Sequence, residues 1–225
     1  MKNFTKILLA FLCIGLVFAS CNKDNFDYEQ AEKDQIERNR IEKARIDSLK
    51  KIQAPILRDF AINKWGDKAE YSDSTGIWFV KELATGNDTP FAYTGTIGYY
   101  GPQINSWSAS VNFKGELMDG KVFDKSSDGI PKNYSNINQA ITVYKQAWIQ
   151  AFIPTVVNIQ GNDVRFEGLL AKGLQKGDKI SFISPSYYTF DQEEYTKGSE
   201  KVTVPKNTPV VYTIEVTALG TATTN

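Results

Sequence analysis

The hydrophobic pattern of this chain changes its period once, near Gly66, and this change limits the folds that the chain can adopt. From Asp24 to Lys51 there is no Gly or Pro, and about half of the residues are charged. The apolar residues of this segment form a thin stripe at helical spacing: Ile36, Ile41, Ile46, Leu49 and Ile52. The pattern is typical of a solvated amphipathic helix. After Gly66, short runs of β-branched and aromatic residues lie between turn residues, which predicts strands.

Four of these short runs predict strands most clearly: 77–80, 108–113, 179–183 and 210–216. Alternate residues of the last run fall on one apolar face, as in a half-buried antiparallel strand. One helix is predicted between the strands, because four large residues recur at helical spacing before Pro154: Ile141, Tyr144, Trp148 and Phe152. Strands around one helix predict an α+β domain, in which a twisted antiparallel sheet packs on one short helix.

The charged segment before this domain has two interpretations. It can be a spacer that holds the domain away from a membrane, or a coiled coil that dimerises. The apolar residues Ile36, Ile41 and Ile46 are five apart, which breaks a heptad repeat and favours the spacer. Pro55 interrupts the helical pattern, so residues 56–62 are predicted to add only a further turn or two.

The N-terminus has the pattern of an export signal. Two lysines precede Ile7–Phe18, an apolar run of twelve residues, which is too short to span a bilayer and is typical of a signal peptide. The small residues Ala19 and Ser20 stand directly before Cys21 and resemble a bacterial lipobox, in which the cysteine is lipidated and begins the mature chain. Cys21 is therefore predicted to be the lipid anchor. The alternative is ordinary secretion, with Cys21 as a bystander.

The composition excludes several classes of chemistry. The chain contains no histidine, which removes histidine triads, histidine metal ligands and imidazole acid–base catalysis. Of its two cysteines, Cys13 leaves with the signal peptide, and lipidation of Cys21 leaves no free thiol. Basic and acidic residues number 26 each, so no nucleic-acid partner is predicted. The acidic pair Glu193–Glu194 could suggest acid–base hydrolysis. The pair lies in a polar stretch, 191–198, that is predicted to be a loop, which disfavours this interpretation. No cofactor and no metal are predicted.

Three blocks of the sequence resemble motifs of one protein family, and they occur in the same order as in that family. Residues 111–124 read VNFKGELMDGKVFD and resemble the signature V-x-[YF]-x-G-x-L-x-D-G-x-x-F-D of the FKBP-type peptidyl-prolyl cis–trans isomerases. Residues 174–187, LQKGDKISFISPSY, are similar to the family's M-x-x-G-x-K and I-x-P-x-x-Y blocks. Residues 204–216, VPKNTPVVYTIEV, are similar to its I-P-P-N-T-P-L-V-F-x-I-E-L end. The resemblance covers residues from about 76 to 219.

The resemblance implies an aromatic pocket with a polar edge. Its predicted catalytic residues are Phe113, Phe123, Asp124, Trp148 and Tyr212. The four aromatic side chains would be the apolar walls, with Trp148 as the floor, and the aspartate would receive polar contacts from the ligand. An alternative alignment places Phe166 at the floor and residues 171–174 in the helix.

The chain departs from the family pattern in several places. About fifteen additional residues, 154–168, separate the helix from the block at 174, and the connection 86–107 is also long. The position of the family's usual tyrosine after the I-x-P block falls on Thr189, and Tyr187, Tyr188 or Phe190 could compensate for its absence. The predicted binding residues are Tyr187, Tyr188 and Val204.

The predicted organisation has four parts: a lipoprotein signal peptide (1–20), a charged helical arm or linker (21–70), an FKBP-like isomerase domain (71–221) and a tail (222–225). The expected function is isomerisation of X–Pro bonds in envelope proteins, through a dry aromatic pocket and without covalent catalysis. The expected partners are proline-containing polypeptides, and a membrane through the N-terminal lipid. The expected location is the cell envelope, at the periplasmic or surface face of the outer membrane. The alternative function is an FKBP-fold binding module or chaperone without turnover, and the sequence leaves the oligomeric state open.

Overall fold

The computed structural model describes residues 28–85 and 89–222. The predicted signal peptide, Cys21 and the end of the tail lie outside these residues. The chain divides into two compact units, Met1–Arg45 and Ile46–Asn225. The helical arm and the α+β class that the sequence predicts are both confirmed.

The arm is helix α1, Tyr28–Trp65. Within the first unit its charged side chains pair at helical spacing, as in Glu37–Arg40 and Glu42–Arg45, both at 2.7 Å. Such exposed pairs each contribute little to stability. The apolar side chains of Ile36 and Ile41 are exposed. This segment is therefore solvated on the side where the predicted apolar stripe lies.

Helix α1 continues through Pro55, so the prediction that Pro55 interrupts the helix is wrong. Proline removes one backbone hydrogen bond and costs about 3 kcal/mol in a helix interior. Packing of the following turns offsets this cost, because Leu57 and Ala61 are buried against Ile183 and Val211 of the sheet. The second compact unit begins at Ile46.

In the part of the chain that the structure describes, eleven strands follow α1. Their bounds are β1 Glu70–Ser72, β2 Ile77–Glu82, β3 Gly95–Gly98, β4 Gly101–Ile104, β5 Trp107–Leu117, β6 Val122–Lys125, β7 Lys132–Tyr134, β8 Val156–Ile159, β9 Asn162–Arg165, β10 Lys179–Ser184 and β11 Val210–Thr221. Two short 3-10 turns occur at Gly66–Lys68 and Ser186–Tyr188. The four runs that predict strands lie in β2, β5, β10 and β11.

Seven strands form one antiparallel sheet in the order β1-β2-β10-β11-β5-β6, with β7 also pairing with β5. The long central strands β5 and β11 pair along almost their whole length, from Val210 opposite Leu117 to Thr221 opposite Trp107. Alternate residues of β11 enter the main core, as its period of two predicts. Val211 on the opposite face is also buried, because α1 covers that side.

The single helix predicted before Pro154 is two helices, α2 Asn138–Tyr144 and α3 Gln146–Phe152. Lys145 separates them, with φ at 64° and ψ at −156°. An L-residue rarely adopts a positive φ, and the helical hydrogen-bond pattern cannot continue through it. The additional residues after α3 form the hairpin β8–β9, and the long connection before β5 contains the hairpin β3–β4.

Candidate functional site

The four aromatic residues predicted to form the pocket meet in the core of the sheet domain. Phe113 lies 5.3 Å from Trp148 between ring centroids, Trp148 lies 5.9 Å from Tyr212, and Phe123 lies 5.8 Å from Tyr212. All three contacts are edge-to-face, which is a favoured geometry for aromatic pairs. We call these four residues the aromatic box.

The elements that carry the box explain its spacing in the sequence. Strand β5 contributes Phe113, β6 contributes Phe123, β11 contributes Tyr212, and α3 contributes Trp148 from above the sheet. Gly115 makes room for one wall, because a Cβ atom at this position would lie 2.5 Å from Cζ of Phe123. The motif glycine between Phe113 and Leu117 is therefore a packing requirement of the box.

A fifth aromatic side chain, Tyr144, fills the box. Its ring stacks on Trp148 with centroids 4.4 Å apart and an interplanar angle of 22°. It also lies 5.3 Å from Phe113 and 5.9 Å from Tyr212. Tyr144 is fully buried. The sequence predicts it only as one member of the apolar helix stripe, and its place over the predicted floor is a finding of the structure.

Asp124 forms the polar edge of the box and is almost fully buried within β6. Its Oδ2 accepts hydrogen bonds from the hydroxyls of Tyr144 and Tyr195, both at 2.8 Å. Its Oδ1 accepts from the backbone amides of Lys125 at 2.9 Å and Ser199 at 3.1 Å. Asp124 therefore only accepts, as an ionised carboxylate does.

Gly198 lets the loop that carries Ser199 approach this carboxylate. A Cβ atom at Gly198 would lie 1.9 Å from the carbonyl oxygen of Phe123 and 3.2 Å from Cβ of Asp124. Any residue other than glycine at position 198 would therefore clash with the backbone of Phe123. The loop is also tied to the domain by the backbone pairing of Tyr195 with Val204, with N–O distances of 3.0 and 2.9 Å.

A cleft of about 1000 Å³ opens outside Asp124 and Tyr144. Its rim carries both signs of charge, from Lys125, Lys132, Lys145 and Lys197 and from Asp191, Glu193 and Glu194. Its walls include Phe190 and Tyr195, whose rings stack at 4.4 Å. Of the predicted catalytic residues, Asp124 lines this cleft, whereas the four rings of the box lie behind it and are buried.

Lys132 covers the aromatic side of the cleft. Its Nζ lies 5.6 Å from the ring centroid of Phe113, 5.6 Å from that of Tyr134 and 6.0 Å from that of Tyr144. These distances fall within the range of cation–π attraction. Lys132 therefore adds a positive charge beside the entrance to the box.

The three predicted binding residues lie elsewhere. Tyr187 lines a second cleft, of about 450 Å³, together with Gln53, and its hydroxyl donates to the Thr75 carbonyl at 3.4 Å. Tyr188 lies 4.8 Å from Tyr187 and packs at the margin of the core. Val204 is fully buried and pairs with Tyr195 through the backbone. The structure does not bring Tyr187, Tyr188 or Val204 to the Asp124 cleft.

The alternative floor residue, Phe166, lies outside the box. It lines a separate groove beside Trp107 and Ile149, whereas Trp148 contacts the rings of Phe113 and Tyr212. Thr189 lines the Asp124 cleft, and its Oγ1 donates to the Ser186 carbonyl at 3.3 Å. Tyr195 lines the same cleft, and its hydroxyl donates to Asp124 at 2.8 Å.

The phenols around Asp124 are held in their neutral form. Burial raises the pKa of Tyr144 far above its ordinary value, and the negative charge of Asp124 adds to the effect. The pKa of Tyr195 is raised mainly by burial and then by its hydrogen bond to Asp124. Burial is the largest cause of the rise in the pKa of Tyr212, and the nearby Tyr195 and Asp124 add to it. These phenols therefore remain hydrogen-bond donors over the physiological pH range.

Two polar groups of the box are unpaired. Nε1 of Trp148 and the hydroxyl of Tyr212 are buried without a hydrogen-bond partner among residues 28–85 and 89–222. A buried donor without a partner costs about 1–3 kcal/mol. The box therefore carries two donors that an incoming acceptor could satisfy.

No cluster of three or more His, Cys, Asp or Glu side chains suited to a metal occurs in the part that the structure describes. None of the helices described is both long and apolar enough to cross a membrane.

The fold resembles several solved structures at low sequence identity. FkpA from Escherichia coli is 18% identical, with a TM-score of 0.44, over 95% of this chain and 83% of that one. AtFKBP13 is 17% identical, with a TM-score of 0.44, over 67% and 97%. A peptidyl-prolyl cis-trans isomerase from Pseudomonas syringae is 19% identical, with a TM-score of 0.42, over 76% and 95%. No family model and no curated protein matches the chain. Proteins of the FKBP type are thus among the structures that this chain resembles, and the likeness carries no information on its activity.

Proposed function

We propose that this protein is a peptidyl-prolyl cis–trans isomerase that receives proline-containing polypeptides in the Asp124 cleft. One observation carries the proposal: a box of four aromatic side chains lies directly behind a buried carboxylate, at the floor of a cleft large enough for a short peptide. The box is dry and apolar, and the cleft rim offers charges of both signs to an extended chain.

The chemistry of X–Pro rotation suits such a site. Rotation about the bond breaks amide resonance and has a barrier of about 18–20 kcal/mol. The twisted amide is less polar than the planar one, so a dry aromatic site disfavours the planar state more than the twisted state. No nucleophile and no proton transfer are needed. The walls Phe113, Phe123, Trp148 and Tyr212 would contact the prolyl ring, and rate enhancement would come from preferential binding of the twisted amide.

The position of Tyr144 favours a second candidate function. Because this ring occupies the face of Trp148, the domain could bind polypeptides in the outer cleft without turning them over. It would then be an FKBP-fold binding module or chaperone in an envelope assembly.

A cis–trans exchange assay on a tetrapeptide that contains an X–Pro bond separates the two functions. The full chain in detergent should raise the exchange rate in proportion to its concentration. A rate equal to the uncatalysed rate, with peptide binding retained, would establish the binding module instead.

The site of action is proposed to be the cell envelope, with lipid on Cys21 as the anchor at the periplasmic or surface face of the outer membrane. The support is the signal-like run that ends in small residues before Cys21. Cys21→Ser should move the protein from the membrane to the soluble fraction and block lipid labelling. Membrane retention without labelling in this variant would contradict the anchor.

A further inference from the structure

We infer that the side chain of Tyr144 is an internal occupant of the prolyl site, which an X–Pro segment must displace before it can reach the aromatic box. This inference rests on the proposed function. Tyr144 thereby sets the affinity of the site and its preference for proline.

The contacts of the ring support this assignment. It lies nearly parallel to the indole of Trp148, at 4.4 Å, and within 5.3 to 5.9 Å of Phe113 and Tyr212. A prolyl ring that stacked on the same face of Trp148 would need the same volume. Protein interiors are packed without spare space of this size, so the two rings exclude each other.

The backbone beside Tyr144 provides a means of exchange. Tyr144 is the last residue of α2, and Lys145, with φ at 64°, separates it from α3. A change of the dihedral angles at Lys145 can move Tyr144 while Trp148 stays in place on α3. Residues 142–145 line the cleft, so the segment borders on open space into which it can move.

The hydrogen bonds of the site limit the cost of displacement. Asp124 loses one donor when Tyr144 leaves, and keeps the donors of Tyr195, Lys125 and Ser199. In return, a substrate carbonyl can accept from the unpaired hydroxyl of Tyr212 or Nε1 of Trp148. A ligand shifts such an equilibrium only through interactions that differ between the two states, and these two donors supply that difference.

The test compares three variants of the full chain in detergent. Tyr144→Ala removes the occupant. Tyr144→Phe keeps the ring and its stacking but loses the bond to Asp124. Tyr100→Ala is the matched control, because Tyr100 is 90% exposed in the β3–β4 turn and away from the cleft. Each variant is titrated with a proline tetrapeptide and with the same peptide carrying alanine at that position.

Tyr144→Ala and Tyr144→Phe should each bind the proline peptide about tenfold more tightly or better, because both variants lose the hydrogen bond to the charged Asp124 that holds the ring in place. The alanine peptide should gain no affinity, and Tyr100→Ala should behave as the unmodified chain. If Tyr144→Ala does not fold, Tyr144→Phe, which changes the volume little, still decides the matter.

Unchanged affinity in a folded Tyr144→Phe, or an equal gain for the alanine peptide, would overturn the inference. The exchange assay on the same variants distinguishes it from the proposed function. Tighter proline binding with no catalysis in any variant rejects the isomerase and keeps the occupant. Full catalysis in the unmodified chain that no Tyr144 variant alters keeps the isomerase and rejects the occupant.

Discussion

The hydroxyl of Tyr195 donates to Oδ2 of Asp124 at 2.8 Å across 71 residues of sequence. The same oxygen accepts from Tyr144, so one carboxylate joins a loop after β10 to the end of α2. The ring of Tyr195 also stacks on Phe190 and lies 5.9 Å from Phe123. This residue therefore connects the outer cleft with the box.

Tyr195→Phe should lower the free energy of unfolding by about 1.5–3 kcal/mol, because it removes a hydrogen bond to a buried charged group while the ring contacts remain. Urea denaturation followed by circular dichroism measures the change. Tyr100→Phe is the matched control and should leave the transition midpoint unchanged. Equal midpoints for both variants would show that the bond to Asp124 is not formed.

Tyr212→Phe should have the opposite effect on stability. The hydroxyl of Tyr212 is buried without a partner in the described residues, and removal of such a group is neutral or stabilising by up to about 1 kcal/mol. Thermal unfolding should thus give a Tm at or above that of the unmodified chain. A clear fall in Tm would mean that this hydroxyl has a partner in solution.

The same variant, Tyr212→Phe, should bind the proline peptide more weakly, since it removes a donor offered to the substrate.

Gly115→Ala should destabilise the domain by about 1–3 kcal/mol, because the added methyl group would lie 2.5 Å from the Phe123 ring. Gly98→Ala is the control in a hairpin, where the nearest atom would be 3.4 Å away. Chemical denaturation of both variants checks the difference. If both variants lose the same stability, a general cost in the strand, and not the Phe123 contact, is responsible.

Leu57→Ala should lower stability by about 2–5 kcal/mol, since Leu57 is buried between α1 and the sheet. Ile52→Ala, on an exposed position of the same helix, should cost far less. Equilibrium unfolding of the two variants tests whether α1 packs on the sheet in solution. A Leu57→Ala transition that matches Ile52→Ala would contradict that packing.

Alkaline pH should unfold the domain before its buried phenols ionise. The ordinary tyrosine pKa is 10.0, and burial raises the pKa values of Tyr144 and Tyr212 above it. Below pH 10 neither folded nor unfolded chain loses these protons, so their contribution is fully present. Above pH 10 the tyrosines of the unfolded chain ionise and the buried ones of the folded chain do not, so the free energy of unfolding falls by about 1.4 kcal/mol per pH unit for each buried phenol.

Phenolate absorbance and circular dichroism, followed together during the pH titration, should change in one transition. Ionisation of all eleven tyrosines with the fold intact would contradict this expectation.

Much of the sheet domain was predictable because its signals are local. The alternation in β11 places Tyr212 on the apolar face of its strand, whereas the grouping of Tyr212 with Phe113 and Phe123 in one pocket comes from the resemblance of residues 111–124 and 204–216 to a family. The rest depends on distant parts of the chain. Helix α1 passes Pro55 because Leu57 is buried against strands that come more than a hundred residues later. The break at Lys145 has no glycine or proline to signal it.

The partners of Asp124 were also beyond the reach of local pattern. Tyr195 is an isolated aromatic residue in a polar loop, and such residues are usually exposed. Its distance from Asp124 along the chain hides the pairing. Tyr144 has the helical spacing of a core residue, which it is, and nothing in that spacing indicates a hydrogen bond to a carboxylate. Tyr144 and Tyr195 each pack in the core and also donate a hydrogen bond to Asp124. A pattern of hydrophobicity predicts the packing but not the hydrogen bond.

Gly198 packs directly against the backbone of Phe123. The loop around it therefore contains positions that tolerate substitution and positions that do not. Gly198 cannot accept a side chain without moving the Ser199 amide away from Asp124, so substitutions there would disturb the carboxylate directly. The charged residues Glu193, Glu194 and Lys197 lie on the rim of the same cleft and do not touch that amide. Under the proposed function, substitutions at the rim would change the charge presented to a polypeptide while the Asp124 carboxylate and its hydrogen-bond donors stay in place.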